Sequence, residues 1–517
     1  MRRLSKLLIA IVITAISASL LAGCAPKSPA KEMVLDPQIV KSWTVDYWVA
    51  SDAASTAISP DNKYMLLVQS GPSERVVAAI PLASGDSKEV QLYKVSNSYL
   101  ETANLDFLTV GWLSATDCVF LAVGSQALGP NEGKRGVSVL VGNVSTGKVD
   151  DAAFIPLEQG YVHNVRFPAG SGKVYLDVTQ AIWTVDLATK AAKIVKDGLP
   201  TYDGMFMARM SPDSSSYVYQ LHELDAGHGI FILDAVTGVQ KSLAPNGDTM
   251  GFYPSWSPDS KYVAFYTVPR KPGRTGTVWP DYEIYPGEDG PMGIAPAITV
   301  MDKSGKVVST ISIEGKVIAN FKWSPDSKSI AFTTGPKPAT VPDTEVDWDI
   351  PVISWDGVYV SKASEQGTPT KLTDIDPKTT SRDSYVSPIA FDPQNRGVFL
   401  QISSSEGEST IWYAASGKTP VQTEEGKPVK IADGYWQFYP DVPTFADTVA
   451  AVIGSPSGQT GLWLLNSKEI KKVGEWPGNY TMVIAYNQEM LVTCETTADV
   501  KNTITVRSMF TEKTVTK

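Results

Sequence analysis

The feature that most limits what this chain can become is a short motif that keeps returning. Ser59-Pro60-Asp61, Ser211-Pro212-Asp213, Ser257-Pro258-Asp259 and Ser324-Pro325-Asp326 share one context, with a variant at Asp392-Pro393. A large apolar residue stands two places before each proline (Ile58, Met210, Trp256, Trp323, Phe391), and a strand-like run follows, such as Lys261 to Tyr266. Proline sets φ for the first turn position, Asp bonds back to the backbone, and β-branched and aromatic residues suit the returning strand. Each copy therefore predicts a hairpin.

A second turn lies further on in each unit. Asn143 to Gly147, Asp186 to Lys190 and Asp234 to Gly238 each separate two apolar runs, and glycine there supplies a left-handed residue. The two turns together predict units of four consecutive antiparallel strands. Weaker units fill the gap between Pro60 and Pro212: Val110 to Ala115 with Cys118 to Val123, and Val165 to Pro168 with Lys173 to Val178. Two more follow Pro393, around Phe445 and Tyr486, so nine units are marked.

These residues resemble the WD40-like propeller repeats of the TolB type, whose hallmark is an aromatic-Ser-Pro-Asp-Gly turn after the first strand. The resemblance runs over residues 50 to 515, with Asn62, Ser214, Ser260 and Ser327 where the family has glycine. It implies an all-β fold, a single β-propeller of four-stranded antiparallel blades. Propellers commonly hold four to eight blades. The expectation is therefore eight within a range of seven to nine, with Met33 to Ala50 available to complete a terminal blade.

The N-terminus carries a different signal. A basic start (Arg2, Arg3, Lys6) precedes an apolar stretch from Leu7 to Ala22, which is too short for a membrane-spanning helix but suits a signal peptide. Leu21-Ala22-Gly23-Cys24 then resembles the bacterial lipobox. That resemblance implies cleavage before Cys24 and acylation of its thiol, and two or more acyl chains make a stable anchor. The expected domains are a lipoprotein signal peptide (1–23), a lipidated Cys24 with a tether (24–33) and the propeller (34–517). The expected location is extracytoplasmic, lipid-anchored at the cell membrane or outer membrane.

Composition closes off other classes. The 517 residues are 43% hydrophobic, enough to bury a large core. Lys and Arg number 45 against 55 Asp and Glu, with no basic run, so nucleic acid is not an expected partner. Three Cys and three His include no CxxC pattern or Cys/His cluster, and no cofactor is expected. His163, His222 and His228 read as ordinary polar residues, and Cys118 and Cys494 as free, buried thiols.

In consecutive antiparallel strands, second-to-third and fourth-to-first connections share one face. The long insertions, about residues 124 to 136, 268 to 296 and 336 to 356, all join second to third strands, so they should gather there. They and the blade connections bring Trp279, Tyr282, Tyr285, Trp348, Trp355, Tyr435 and Trp436, a candidate binding face. Asp343, Glu345, Asp347 and Asp349 alternate in one insertion as a weak metal candidate, but their spacing matches no calcium loop, and no metal is expected.

No G-x-S-x-G is present, which argues against the propeller-containing serine peptidases. The resulting expectation is a non-enzymatic envelope lipoprotein, a scaffold that binds an envelope protein or extracellular polymer as the TolB-type resemblance suggests. The alternative is an extracellular glycan- or peptide-acting enzyme, or a lectin-like binder, using the aromatic and acidic loop face.

Overall fold

The computed structural model describes residues 30–515, apart from 46, 51–56, 84–87, 97–104, 158–161, 169, 179–180, 200–208, 222–228, 244–248, 270–293, 338–354, 376–384, 405–407, 437–442, 455–458, 477–479 and 497–500. Every regular element among them is a strand, and the strands form nine antiparallel sheets arranged as one propeller. The nine marked units are all real, and the preference for eight is corrected.

The first blade contains β2 (Trp48–Ala50), β3 (Tyr64–Ser70), β4 (Glu74–Pro81) and β5 (Val90–Ser96). The second contains β6 (Asp106–Trp112) to β9 (Lys148–Pro156), the third β10 (Val162–Arg166), β11 (Lys173–Val178), β12 (Ala181–Asp186) and β13 (Ala191–Lys196). The fourth contains β14 (Arg209–Met210), β15 (Ser216–Leu221), β16 (Gly229–Asp234) and β17 (Gln240–Ser242). The fifth pairs β18 (Thr249–Trp256), β19 (Tyr262–Pro269), β21 (Ala297–Asp302) and β22 (Val307–Ser312). The sixth has β23 (Lys316–Trp323), β24 (Ser329–Pro336), β25 (Gly357–Lys362) and β26 (Thr370–Asp374), with β20 (Ile294–Ala295) added beside β23. The seventh runs from β27 (Tyr385–Phe391) to β30 (Val429–Asp433), and the eighth is built on β31 (Tyr435–Trp436), β33 (Thr448–Gly454), β34 (Thr460–Leu465) and β35 (Ile470–Trp476).

The ninth blade joins β36 (Tyr480–Tyr486), β37 (Met490–Thr496) and β38 (Asn502–Val515) to the N-terminal strand β1 (Ala30–Val45), which lies outermost. The segment ahead of the first repeat thus completes the last blade and closes the ring. Hydroxyl pairs mark the seam: Ser42 with Thr505 at 3.2 Å and Thr44 with Thr503 at 3.3 Å. The chain divides into two compact units, residues 39–507 and residues 1–38 with 508–517. In the smaller unit, the outer reaches of β1 and β38 are described, and the Thr511 hydroxyl donates to Asp36 at 3.3 Å.

The Ser-Pro-Asp motif works as one hydrogen-bonded knot. Ser257 Oγ donates to Asp259 Oδ1 at 2.8 Å and accepts from the Tyr262 N–H at 3.0 Å, while Asp259 Oδ1 accepts from Lys261 N–H at 3.1 Å. The same set recurs at Ser59, Ser211 and Ser324. Asn62, Ser214, Ser260, Ser327 and Asn395 all have φ between 57° and 62°. They hold the left-handed conformation that glycine adopts most readily.

Their side chains show why glycine is dispensable. Ser260 Oγ accepts from the Asp213 N–H and Ser327 Oγ from the Asp259 N–H, both at 2.9 Å, so each turn is tied to the turn of the preceding blade. Asn62 continues the belt across the ring closure, bonding Asn487 and Glu489 of the ninth blade. The aromatic ahead of the motif adds a further tie. The indole N–H of Trp112, Trp256 and Trp323 donates to the preceding blade's backbone at Ala57, Arg209 and Ser255.

Between these ties the faces of neighbouring blades bury apolar side chains. One such layer holds Phe252, Ala264, Ile298, Val300, Ile318, Trp323 and Phe332. Central strands are apolar on both faces because both are covered. All three residues of the outer strand β17 are exposed, as expected at the rim.

Candidate functional site

The turn-to-turn belt occupies one face of the ring. The long insertions leave the other, since β7 (Asp117–Ser125) to β8 (Arg135–Asn143), β19 to β21 and β24 to β25 are each a second-to-third strand connection. Trp279, Tyr282, Tyr285, Trp348 and the acidic run Asp343, Glu345, Asp347 and Asp349 lie outside the described residues. At the end of that run Asp356 accepts from Thr334 Oγ1 at 2.9 Å and pairs with Lys316, so it is already neutralised.

The remaining candidates divide. Tyr435 is exposed. Trp355 and Trp436 are each only 5% exposed, the first packed with Val358, Leu372 and Ile375, the second beside Phe399 with ring centroids 6.4 Å apart. Both are core residues, a correction to the expected binding face. Their rings fill the spaces where long connections meet the blades, and burial of a large aromatic outweighs its display to solvent.

A different place stands out, and sequence reasoning missed it. In four consecutive blades, one position of the second strand reaches the next blade's inner strand. Gln220 Oε1 accepts from the Tyr253 N–H at 2.9 Å, and the Tyr266 hydroxyl from the Phe321 N–H at 3.1 Å. Thr333 Oγ1 donates to the Val386 carbonyl at 3.0 Å, and Gln401 Oε1 accepts from the Trp436 N–H at 3.0 Å. The strand register puts Asp177 at the same position in the third blade.

Asp177 is 1% exposed, yet neither carboxyl oxygen makes a full hydrogen bond among the described residues. Burial, only partly relieved by the nearby Asn164 amide, pushes it up to about 7. It lines a cleft between the third and fourth blades together with Asn164, Arg166, Tyr175, Arg209, Met210 and Tyr217. Pairing of Asn164 with Asp177 and of Arg166 with Tyr175 sets these four on one face of the blade, turned toward Met210 and Tyr217.

Arg166 and Arg209 sit on the innermost strands of the two blades and are open to water. Arg75 and Arg396 face Asp106 and Asp392, whereas no carboxylate among the described residues lies within ion-pair distance of Arg166 or Arg209. Crowding by surrounding protein, then the charge of Arg166, holds Arg209 below its usual value. Burial raises Tyr217, with the charge of Asp177 adding to it. The strand register that builds this cleft could be guessed from the repeats, but a lone Asp in an apolar run gave no motif to search for.

The two thiols are as expected. Cys118 and Cys494 are free and buried, and burial pushes each up to about 12.

No protein-family model and no curated protein sequence matches the chain. Among solved structures it is similar to dipeptidyl peptidase 4 of Porphyromonas gingivalis, at 12% identity and a TM-score of 0.43, covering 89% of this chain and 58% of that one. It is similar to the Dos1 propeller at 11% identity and a TM-score of 0.40, covering 76% and 90%. Oligogalacturonate lyase from Vibrio parahaemolyticus gives 11% identity and a TM-score of 0.34, covering 74% and 98%. The chain spans about half the length of the peptidases it matches, from 44% of the tricorn protease to 58% of the dipeptidyl peptidase.

These names correct the expectation of a non-enzymatic protein. Peptidases and a lyase stand among these structures. At such identities the likeness concerns the fold alone and carries no activity across.

Proposed function

We propose that the protein is a lipid-anchored, extracytoplasmic propeller that docks an envelope protein or extracellular polymer on its insertion-bearing face. The observation that carries this reading is the asymmetry of the two faces. One is consumed by structural ties from turn to turn, while the three long second-to-third strand connections all leave the other. Loops on a rigid scaffold are where binding residues concentrate, and the 23-residue leader ending before Cys24 supports a tether that holds the disc at a membrane surface.

The reading is tested by crosslinking in native membranes and affinity recovery, comparing wild type with Trp279→Ala/Trp348→Ala. The double variant should lose its partners while keeping its thermal melt. Recovery of the same partners in the same amounts would contradict docking through this face.

A further inference from the structure

We propose that the start of β1 and the end of β38 rest on the lipid surface, with the face that carries Met33, Leu35, Pro37 and Phe510 seated in the headgroup layer. This inference builds on the proposed anchor at Cys24 and says which part of the folded chain meets the bilayer.

Strand alternation sets the two faces of this pair. The Thr511 hydroxyl reaches Asp36 at 3.3 Å, so residues 36 and 511 share one face, and Met33, Leu35, Pro37, Phe510 and Glu512 fall on the other. Met33 is 62% exposed, and Leu35, Pro37 and Phe510 are half-buried. Ile39, further along β1, is 63% exposed. No other strand among the described residues leaves two large apolar side chains in the open. Scattered apolar side chains are ordinary on a surface, but their concentration on one strand marks a contact.

Chain length says what makes that contact. Six residue steps separate Cys24 from Ala30, the first residue of β1, and fully stretched they span at most about 20 Å. Acyl chains on Cys24 therefore hold the beginning of this strand close to the bilayer. A second copy of the chain suits the place less well. Although β1 ends its sheet, proline is tolerated in a strand where its missing N–H faces outward, so Pro37 interrupts the row of donors that another strand would pair with. Glu512 is exposed on the apolar face, which keeps the contact shallow, since a carboxylate is not carried into hydrocarbon.

The experiment places an environment-sensitive fluorophore on Met33→Cys or, on the opposite face, Gln38→Cys. Cys118 and Cys494 are buried and Cys24 is acylated, so only the introduced thiol takes the label. The acylated full-length protein is reconstituted into vesicles of phosphatidylethanolamine and phosphatidylglycerol that carry a nitroxide lipid quencher at headgroup depth. The label at position 33 should be quenched about twofold or more strongly than that at 38, because only the apolar face enters the interface. Thermal melts establish that both variants fold. Should Met33→Cys unfold, peroxide footprinting of wild type reads the same contact, since Met33 should oxidise more slowly in the vesicle-bound protein than in unacylated Cys24→Ser in solution. Vesicle-bound protein with position 33 in water, equal quenching at both positions, or a label at 33 already shielded in the Cys24→Ser background without vesicles would overturn this inference and leave the anchor standing. Wild-type protein that fails to float with the vesicles would overturn both.

Discussion

At the scale of single residues, the serines in left-handed turns combine strain with a bond that repays it. Ser260 and Ser327 hold φ near 60°, costly for any residue with a Cβ, while their hydroxyls tie down the preceding blade's Asp N–H. Ser260→Ala keeps the strain and loses the bond, and should destabilise by about 1 kcal/mol. Ser260→Gly loses the bond but also the strain, and should be the milder change. Denaturant unfolding of the two variants decides the order, and an alanine variant as stable as the glycine one would contradict it. Asp177 makes a pH prediction. Its folded-state pKa is raised from 3.8 to about 7, so its share of stability is complete below the lower value and is lost as pH rises to the upper. That share is of the order of 4 kcal/mol for about three pKa units. Wild type should therefore lose stability between about pH 4 and 7 relative to Asp177→Asn, and parallel melting curves for the two would exclude it. None of this was legible in the sequence. The turn motif showed where left-handed residues must fall, but not that their side chains would be spent on the neighbouring blade. A buried Asp looks the same as any other until the blades are set side by side.

At the scale of elements, the hairpins and their order were readable because proline and Asp mark each first turn and Asn or Asp each second one. Asp234 Oδ1, for example, accepts from the Val236 and Thr237 N–H groups at 3.0 and 2.7 Å. The degenerate blades were harder. Val165 to Pro168 lacks the Ser-Pro-Asp knot, and the ninth blade borrows β1 from the other end of the chain. A pairing between residues 42 and 505 leaves no local trace, and eight was preferred over the nine marked units only because propellers commonly hold four to eight blades. Removing residues 30–45 should expose the edge of β38 and cause aggregation, whereas removing 1–23 should not. Size-exclusion chromatography separates these outcomes, and a monodisperse protein lacking β1 would show that the strand is not the closure. The two thiols probe the blades directly. Buried and held near 12, Cys118 and Cys494 should react with Ellman's reagent only after denaturation. Fast reaction of either in the native protein would mean that its blade opens.

At the scale of the whole molecule, repetition explains both what was found and what was missed. A ring of similar sheets is stabilised by many equivalent contacts, so the sequence carries the pattern of the scaffold far more strongly than any single site on it. Trp355 and Trp436 illustrate the cost: aromatic content in long connections reads as a binding surface, yet these two rings are needed to seal the blades. The asymmetry of faces, by contrast, followed from strand order alone and is why docking is assigned to one side. The proposed anchor is the acylated Cys24. Mass spectrometry of the protein extracted from its native envelope tests this most directly. The predicted result is an N-terminal peptide beginning at Cys24 with a thioether-linked diacylglyceryl group, absent from Cys24→Ser. An unmodified Cys24, or a mature chain starting elsewhere without lipid, would contradict it.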